Sequence, residues 1–277
     1  ANVGRPSELT PQAQKQLRKK ISKGSFRRID DARDWLRKQF KIDAPYETVR
    51  GWLGKLGARL KVVRPRHPNS SPVKRFRFRT QLARQMHAAL KERGIKRELL
   101  GQAPDTDLGQ DEARFGLQPC WKRAWVTRGV RAHKSSSCRY DWQYIWGALQ
   151  VGGGGSEFLY TNRADGDVSA AFLKQISERD PFAIHIMIWD GASFHPDNTD
   201  PRIPDNVVVL RQAPYSPELN PVEKLWDMLR DWLCNRRWGS LDDLLEAATH
   251  WLRKFRQAPD KILSLVGNGW MRHQANA

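Results

Sequence analysis

Cysteine is scarce and scattered. The three cysteines, Cys120, Cys138 and Cys234, form no C-x-x-C pair. That argues against a disulfide framework or a cysteine zinc site and fits a reducing compartment. Long apolar runs are also lacking. No stretch of roughly eighteen apolar residues occurs, so nothing reads as a membrane-spanning helix. The opening ANVGRPSELTPQ has neither an initiator methionine nor an apolar targeting segment. The chain therefore reads as a piece whose upstream part is missing. The glycine run at 152–155 lacks the lysine of a phosphate-binding loop and lies between two strand-like segments. Acids are short in one region only. Residues 1–100 hold 27 Lys+Arg against 8 Asp+Glu, and the rest of the chain holds 21 against 22. All the excess of a +18 chain thus lies in its first third.

What is present is a globular composition, 39% apolar with twelve tryptophans, in 277 residues, enough for two cores. A basic module joined to a near-neutral one points to a nucleic-acid-binding part and a separate working part; a solubilising surface is the plainer alternative. Residues 8–23 read as a helix with Pro11 in its first turn. Residues 30–40 read as a second helix, and Pro45 opens a third, YETVRGWLGKLG, with Val49, Trp52 and Leu53 as its apolar stripe and Gly57 as its stop. Helix, short turn, helix is the helix-turn-helix pattern, although many small bundles share it. Tyr46, Glu47, Thr48 and Arg50 are the base-facing candidates. Residues 59–66 form a small wing or an extended exit.

Residues 63–82 combine Pro65, Pro68 and Pro72 with a run of basic side chains. They read as a linker unable to form a core element. Arg64, Arg66, Lys74, Arg75 and Arg77 would lie along a phosphate backbone. A helix follows over about 79–93, then a polar stretch, GQAPDTDLGQ. The expected organisation is a helix-turn-helix domain over 1–62, a basic linker and connecting helix over 63–100, and a second domain over 101–277. In that domain, strands are expected at 139–151, 156–163, 183–190 and 206–211, and helices at 167–180 and from Ser240 onward. A mixed sheet with helices on its faces is the architecture implied.

Three carboxylates stand out. Asp190 ends an apolar strand, where α/β folds place reactive groups, although a loop-stabilising aspartate has the same look. Asp111, beside Glu112, reads locally as a turn acid. Glu223 fits a capping box, with Asn220 as N-cap and Pro221 at the first helical position. Together, three hard oxygen donors on separate elements can hold one or two magnesium ions suited to phosphodiester chemistry.

The blocks DEARFGL, IWDGASFH and YSPELNPVEKLW closely resemble those of IS630-type transposases, within the IS630/Tc1/mariner group. WKRAWVTRGV and YIWGALQVGGGGSEFLY resemble the segments between the family's first two acids. The resemblance covers about 111–270 well and 4–66 more loosely. It implies an RNase H-like domain preceded by a small all-α, winged-helix-like helix-turn-helix domain. Asp111, Asp190 and Glu223 align with the family's catalytic, metal-binding triad. Thirty-two residues lie between the last two, in keeping with the family. Two Mg²⁺ (or Mn²⁺) ions are implied, with cleavage at transposon ends and strand transfer into target DNA, in this group at TA. His195 falls where the family often carries histidine, in a supporting role. Paired transposon ends, a homodimer or larger assembly, and a cytoplasmic, nucleoid-associated setting in bacteria are further implications.

Two departures from the family are visible. The segment before Asp111 is more polar than the apolar first strand expected there. Ala213 replaces the proline usual before Tyr-Ser-Pro. The N-terminus is expected to start midway through a bipartite DNA-binding region. Two other readings stand beside the transposase: a catalytically inactive, transposase-derived DNA-binding protein, and another RNase H-like nuclease or resolvase. The specificity of NPVEKLW argues against the last.

Overall fold

The computed structural model describes residues 8–61, 67–95, 105–135, 139–266 and 270–271. The chain divides into two compact units, Ala1–Arg66 and His67–Ala277.

In the first unit, Thr10 caps α1 (Pro11–Ser22) by accepting the Ala13 N–H. Asp31 starts α2 (Ile29–Phe40) by accepting the backbone N–H groups of Arg27 and Arg28. Pro45 leads into α3 (Tyr46–Lys55), and Gly57, at φ +78, ends the turn beyond it. Ala13, Ala32, Leu36, Ala44 and Val49 form the buried core, with Trp35, Trp52 and Leu53 packed on it. The three expected helices are all present. No strand forms over 58–61, and residues 62–66, including Arg64 and Arg66, lie outside the described residues.

The linker expectation fails from residue 71 onward. Ser71 caps α4 (Pro72–Thr80), with Pro72 in its first turn, and α5 (Leu82–Glu92) follows at once. Phe78, Leu82, Met86 and Leu90, spaced by fours, enter the main core of the second unit. Proline at the first helical position favours a helix rather than breaking one, because its missing N–H is not needed there.

The second unit is built on a five-stranded mixed sheet of order β3-β2-β1-β4-β5. The strands are β1 (Asp105–Gly116), β2 (Trp142–Gln150), β3 (Ser156–Thr161), β4 (Ile184–Trp189) and β5 (Val207–Arg211). β1 pairs antiparallel with β2 and parallel with β4. The polar run before Asp111 is therefore strand from Asp105 onward, contrary to its composition. A central position pairs its backbone on both edges, and that outweighs weak β propensity. One face is covered by α6 (Gly166–Arg179), whose Phe172, Leu173 and Ile176 pack with Trp146, Met187 and Trp189. The other face carries α4, α5, α7 (Pro221–Leu233), α8 (Leu241–Arg256) and α9 (Pro259–Val266) over Ala113, Phe115, Ile145, Ile186 and Val208. Among the described residues no helix is long and apolar enough to cross a membrane.

Candidate active site

β1 and β4 run parallel, with Gly109 opposite Ile188. Two residues further on, the same register brings Asp111 level with Asp190, just past the end of β4. Strand alternation puts Asp111 on the face of Ala113 and Phe115, the face that α7 covers.

α7 reaches that face through two glycines. A Cβ at Gly109 would lie 2.7 Å from the Pro221 ring, and one at Gly147 would lie 2.8 Å from Trp226. Asn220 locks the approach: its side-chain N–H donates to the Gln110 carbonyl at 2.7 Å, and its oxygen caps the Val222 N–H. The backbone N–H of Asn220 goes to the Pro217 carbonyl, so the reciprocal half of the expected capping box is not formed. Among the described residues, Glu223 has no hydrogen bond or ion pair, and its carboxylate is free of capping duty. Upstream, Tyr215 takes a left-handed φ of 54° and stacks on His67 at 3.7 Å. Arg75 pairs with Glu218 at 2.8 Å. The residues just before the helix are thus held from outside it.

The three carboxylates sense one another. Burial, then the charges of Glu223, Glu112 and Asp190, push the Asp111 carboxyl well above its ordinary range. The buried Trp226 indole N–H acts on Asp111 in the opposite sense, without reaching hydrogen-bond geometry. Burial also raises Glu223, with Asp190 and Glu112 adding to the rise and Arg230 opposing it. Asp190 is lowered instead, first by His195 and also by the Ala192 N–H at 2.9 Å.

His195 is itself buried. Its Nδ1 lies 3.1 Å from Asp190 Oδ1, and its Nε2 faces Glu112 Oε2 at 3.4 Å, a charge contact without hydrogen-bond geometry. The ring stacks on Trp189 at 4.4 Å, with Trp146 and Phe194 at its edges. Burial opposes its charge, but Asp190 and Glu112 outweigh that and push its pKa up to about 9. Glu112 had no assigned role in the sequence. Its neighbour Asp111 faces the other side of the sheet, and no spacing rule links position 112 to 195.

Asp111 and Glu223 offer hard oxygen donors with no basic side chain paired to them among the described residues, and burial, then repulsion from neighbouring acids, holds back their ionisation. A divalent cation relieves that repulsion, so the donor set fits one. Among the described residues, however, no three such side chains are gathered at metal-ligand distance.

Of the DNA-facing candidates, Tyr46, Thr48 and Arg50 lie exposed on α3, and Arg50 pairs with Glu47 at 3.2 Å. Lys74 and Arg77 are exposed on α4, while Arg75 is committed to Glu218.

Residues 108–245, which contain all three acids, match the DDE superfamily endonuclease family. The chain belongs to the DDE superfamily. An uncharacterized protein, y4pE/y4sA of Sinorhizobium fredii (strain NBRC 101917 / NGR234), is 33% identical over 131 residues, 47% of this chain and 96% of that protein. The fold is similar to that of Mos1 transposase. A Mos1 mariner paired-end complex with Mn matches at TM-score 0.60 and 18% identity, over 98% of this chain and 79% of that one. A paired-end complex with Mg matches at 0.58 and 16%, over 100% and 81%. The sheet unit is thus a DDE domain of RNase H-like fold, preceded by a small unit of three helices.

Proposed function

We propose that this DDE protein is a DNA transposase that cuts at transposon ends and joins the freed end to target DNA. The observation that supports the reading is the β1/β4 register, which sets Asp111 level with Asp190, with Glu223 near enough on the helix packed against β1 for its charge to act on Asp111. These three residues would hold two divalent ions, Mg²⁺ or Mn²⁺, and bound metal would supply an activated water and stabilise the leaving oxygen. The Mn and Mg complexes of the Mos1 relatives support that choice of ion.

The chain's own residues divide the remaining work. His195, braced by Trp189 and Glu112, fixes the carboxylate of Asp190. Asn220 and Pro221 set the position of Glu223 against β1. Hydrolysis at the transposon end frees a 3′ hydroxyl, which then attacks a target phosphodiester, at TA by resemblance to the group. The DNA is gripped by α3, through Tyr46, Thr48 and Arg50, and by the basic stretch containing Arg64, Arg66, Lys74 and Arg77, while Arg75 instead holds Glu218. The paired-end complexes of Mos1 support a dimer or larger assembly on two ends. The domain organisation that goes with this reading is a helix-turn-helix module, a basic connection and a DDE domain.

The test is Mg²⁺-dependent nicking of DNA carrying inverted-repeat ends, with Asp190→Ala as control. Cleavage by the native chain and none by the variant is expected. Equal cleavage by both would sink the assignment. One observation favours a second reading, a transposase-derived DNA-binding protein without activity: the three carboxylates are not drawn to metal-ligand distance. DNA binding without cleavage by either chain would select it.

A further inference from the structure

A second charged feature lies on the same helix as Glu223. Arg230 is seven residues further along α7, close to two full turns and so on the same flank, about 10 Å away along the axis. There Arg230, Arg236 and Arg237 line one hollow of about 140 Å³, and no acid among the described residues lines it. Concentrating guanidinium groups without a counter-charge is costly in a folded protein unless an anion relieves it.

The arginines are also oriented. Arg230 stacks over Phe115 at 5.5 Å and Arg236 over Trp232 at 4.2 Å. Stacking occupies the face of a guanidinium and leaves its in-plane N–H groups for an acceptor. Among the described residues, Arg236 and Arg237 have no acidic partner, and Arg230 pairs only with the exposed Asp227, at 3.8 Å.

The walls are built rather than accidental. Asn235, in a left-handed conformation at φ 57°, donates its backbone N–H to the Cys120 carbonyl. Its side chain exchanges two hydrogen bonds with the Lys122 backbone, at 2.9 and 3.0 Å. Lys122 also pairs with Asp231 on α7. These contacts pin residues 120–122, one side of the hollow, to the end of the helix.

We propose that this arginine-lined hollow is a phosphodiester-binding subsite, holding the backbone of the DNA strand a few nucleotides from the phosphate presented to Asp111, Asp190 and Glu223. The proposal rests on the DNA-cutting reading above for its choice of ligand. Planar, bidentate donors suit a phosphate, and a contact of this kind sets the register of the strand without reading its sequence. The shared flank of α7 would tie the grip on the backbone to the position of the glutamate.

The test uses the full chain with Arg236→Ala/Arg237→Ala, residues beyond the end of α7 and exposed. Binding of a fluorescent duplex with inverted-repeat ends is titrated in EDTA over a range of KCl concentrations. Loss of the subsite should weaken binding about tenfold at fixed salt and flatten the slope of log K against log salt by about one to two. An Arg236→Lys/Arg237→Lys variant should restore the slope but only part of the affinity, since lysine keeps the charge and loses the fork. A single uncharged methylphosphonate, walked along the strand near the cleavage site, should weaken native binding at one position and leave the alanine variant unaffected there. Alanine variants with native affinity and native slope, or a methylphosphonate scan identical in both chains, would overturn the subsite. Because EDTA removes the chemistry, the two proposals can fail separately. Nicking that depends on Asp190 with no change in slope leaves the transposase without this subsite. A flattened slope without nicking leaves the subsite without the enzyme.

Discussion

Asp111 and Glu112 are adjacent in the chain and opposite in circumstance. Asp111 faces α7 with Glu223 and no basic side chain paired to it among the described residues, and burial and repulsion hold its carboxyl toward the protonated form. Glu112 points to the α6 side, where a buried histidine carrying positive charge lies against it. On that side Glu112 is balanced by His195, whose other ring nitrogen reaches across to Asp190 past the end of β4. The other side is left with an excess of negative charge. The difference shows where an external cation is wanted, and it follows from which way each side chain points rather than from how many acids there are.

The comparison can be broken by substitution. The largest effect is expected from Asp190→Asn or Glu223→Gln, which should reduce metal-dependent nicking to background. Glu223→Gln should leave the melting temperature nearly unchanged, since Glu223 makes no cap contact in the structure. Acting on the balanced side, His195→Ala should lower cleavage or apparent metal affinity about 10–100-fold, the usual cost of losing a group that orients a metal ligand. A metal titration of the nicking rate reads this directly. If His195 merely filled space, a leucine of similar bulk would restore activity.

Gly109→Ala attacks the acid side through packing. Its Cβ would meet the rigid Pro221 ring at 2.7 Å, and a loss of about 1–3 kcal/mol is expected in urea unfolding. The smallest effect is a gain. Because the Asp111 carboxyl is raised in the folded state, its contribution to stability is full below the ordinary carboxylate range and is lost as pH rises through the raised value. Asp111→Asn should therefore raise Tm by about 2–4 °C near neutral pH, the shift that roughly 1 kcal/mol produces in a domain of this size. The gain should vanish near pH 4. A Tm difference that is the same at both pH values would show that Asp111 is not strained by its neighbours.

Much of this was legible in the sequence because its signals are local. Apolar spacing and caps marked α1 to α3, and the segment AIHIMIWD marked β4 with an acid at its end. The blocks around Asp111, Asp190 and Glu223 carried the family. Where the reading failed, a neighbour distant in sequence overrode a local preference. GQAPDTDLGQ is polar, yet it supplies the start of the central strand, because β2 and β4 pair with both its edges. The stretch with Pro72 looked like a tether, yet Phe78 and Leu82 found a core to enter.

Glu223 shows the division most clearly. Asn220, Pro221 and the apolar stripe of α7 determine, from sequence alone, where the helix starts and which side it buries, since caps and helical periodicity act within a few residues. Only the tertiary structure decided what Glu223 is left to do. The Asn220 N–H turns to Pro217, and Gly109 lets Pro221 lie against β1. The glutamate is thereby released from the cap and set among the charges of Asp111 and Asp190. Burial and charge act through space, between groups that the chain keeps far apart along its length.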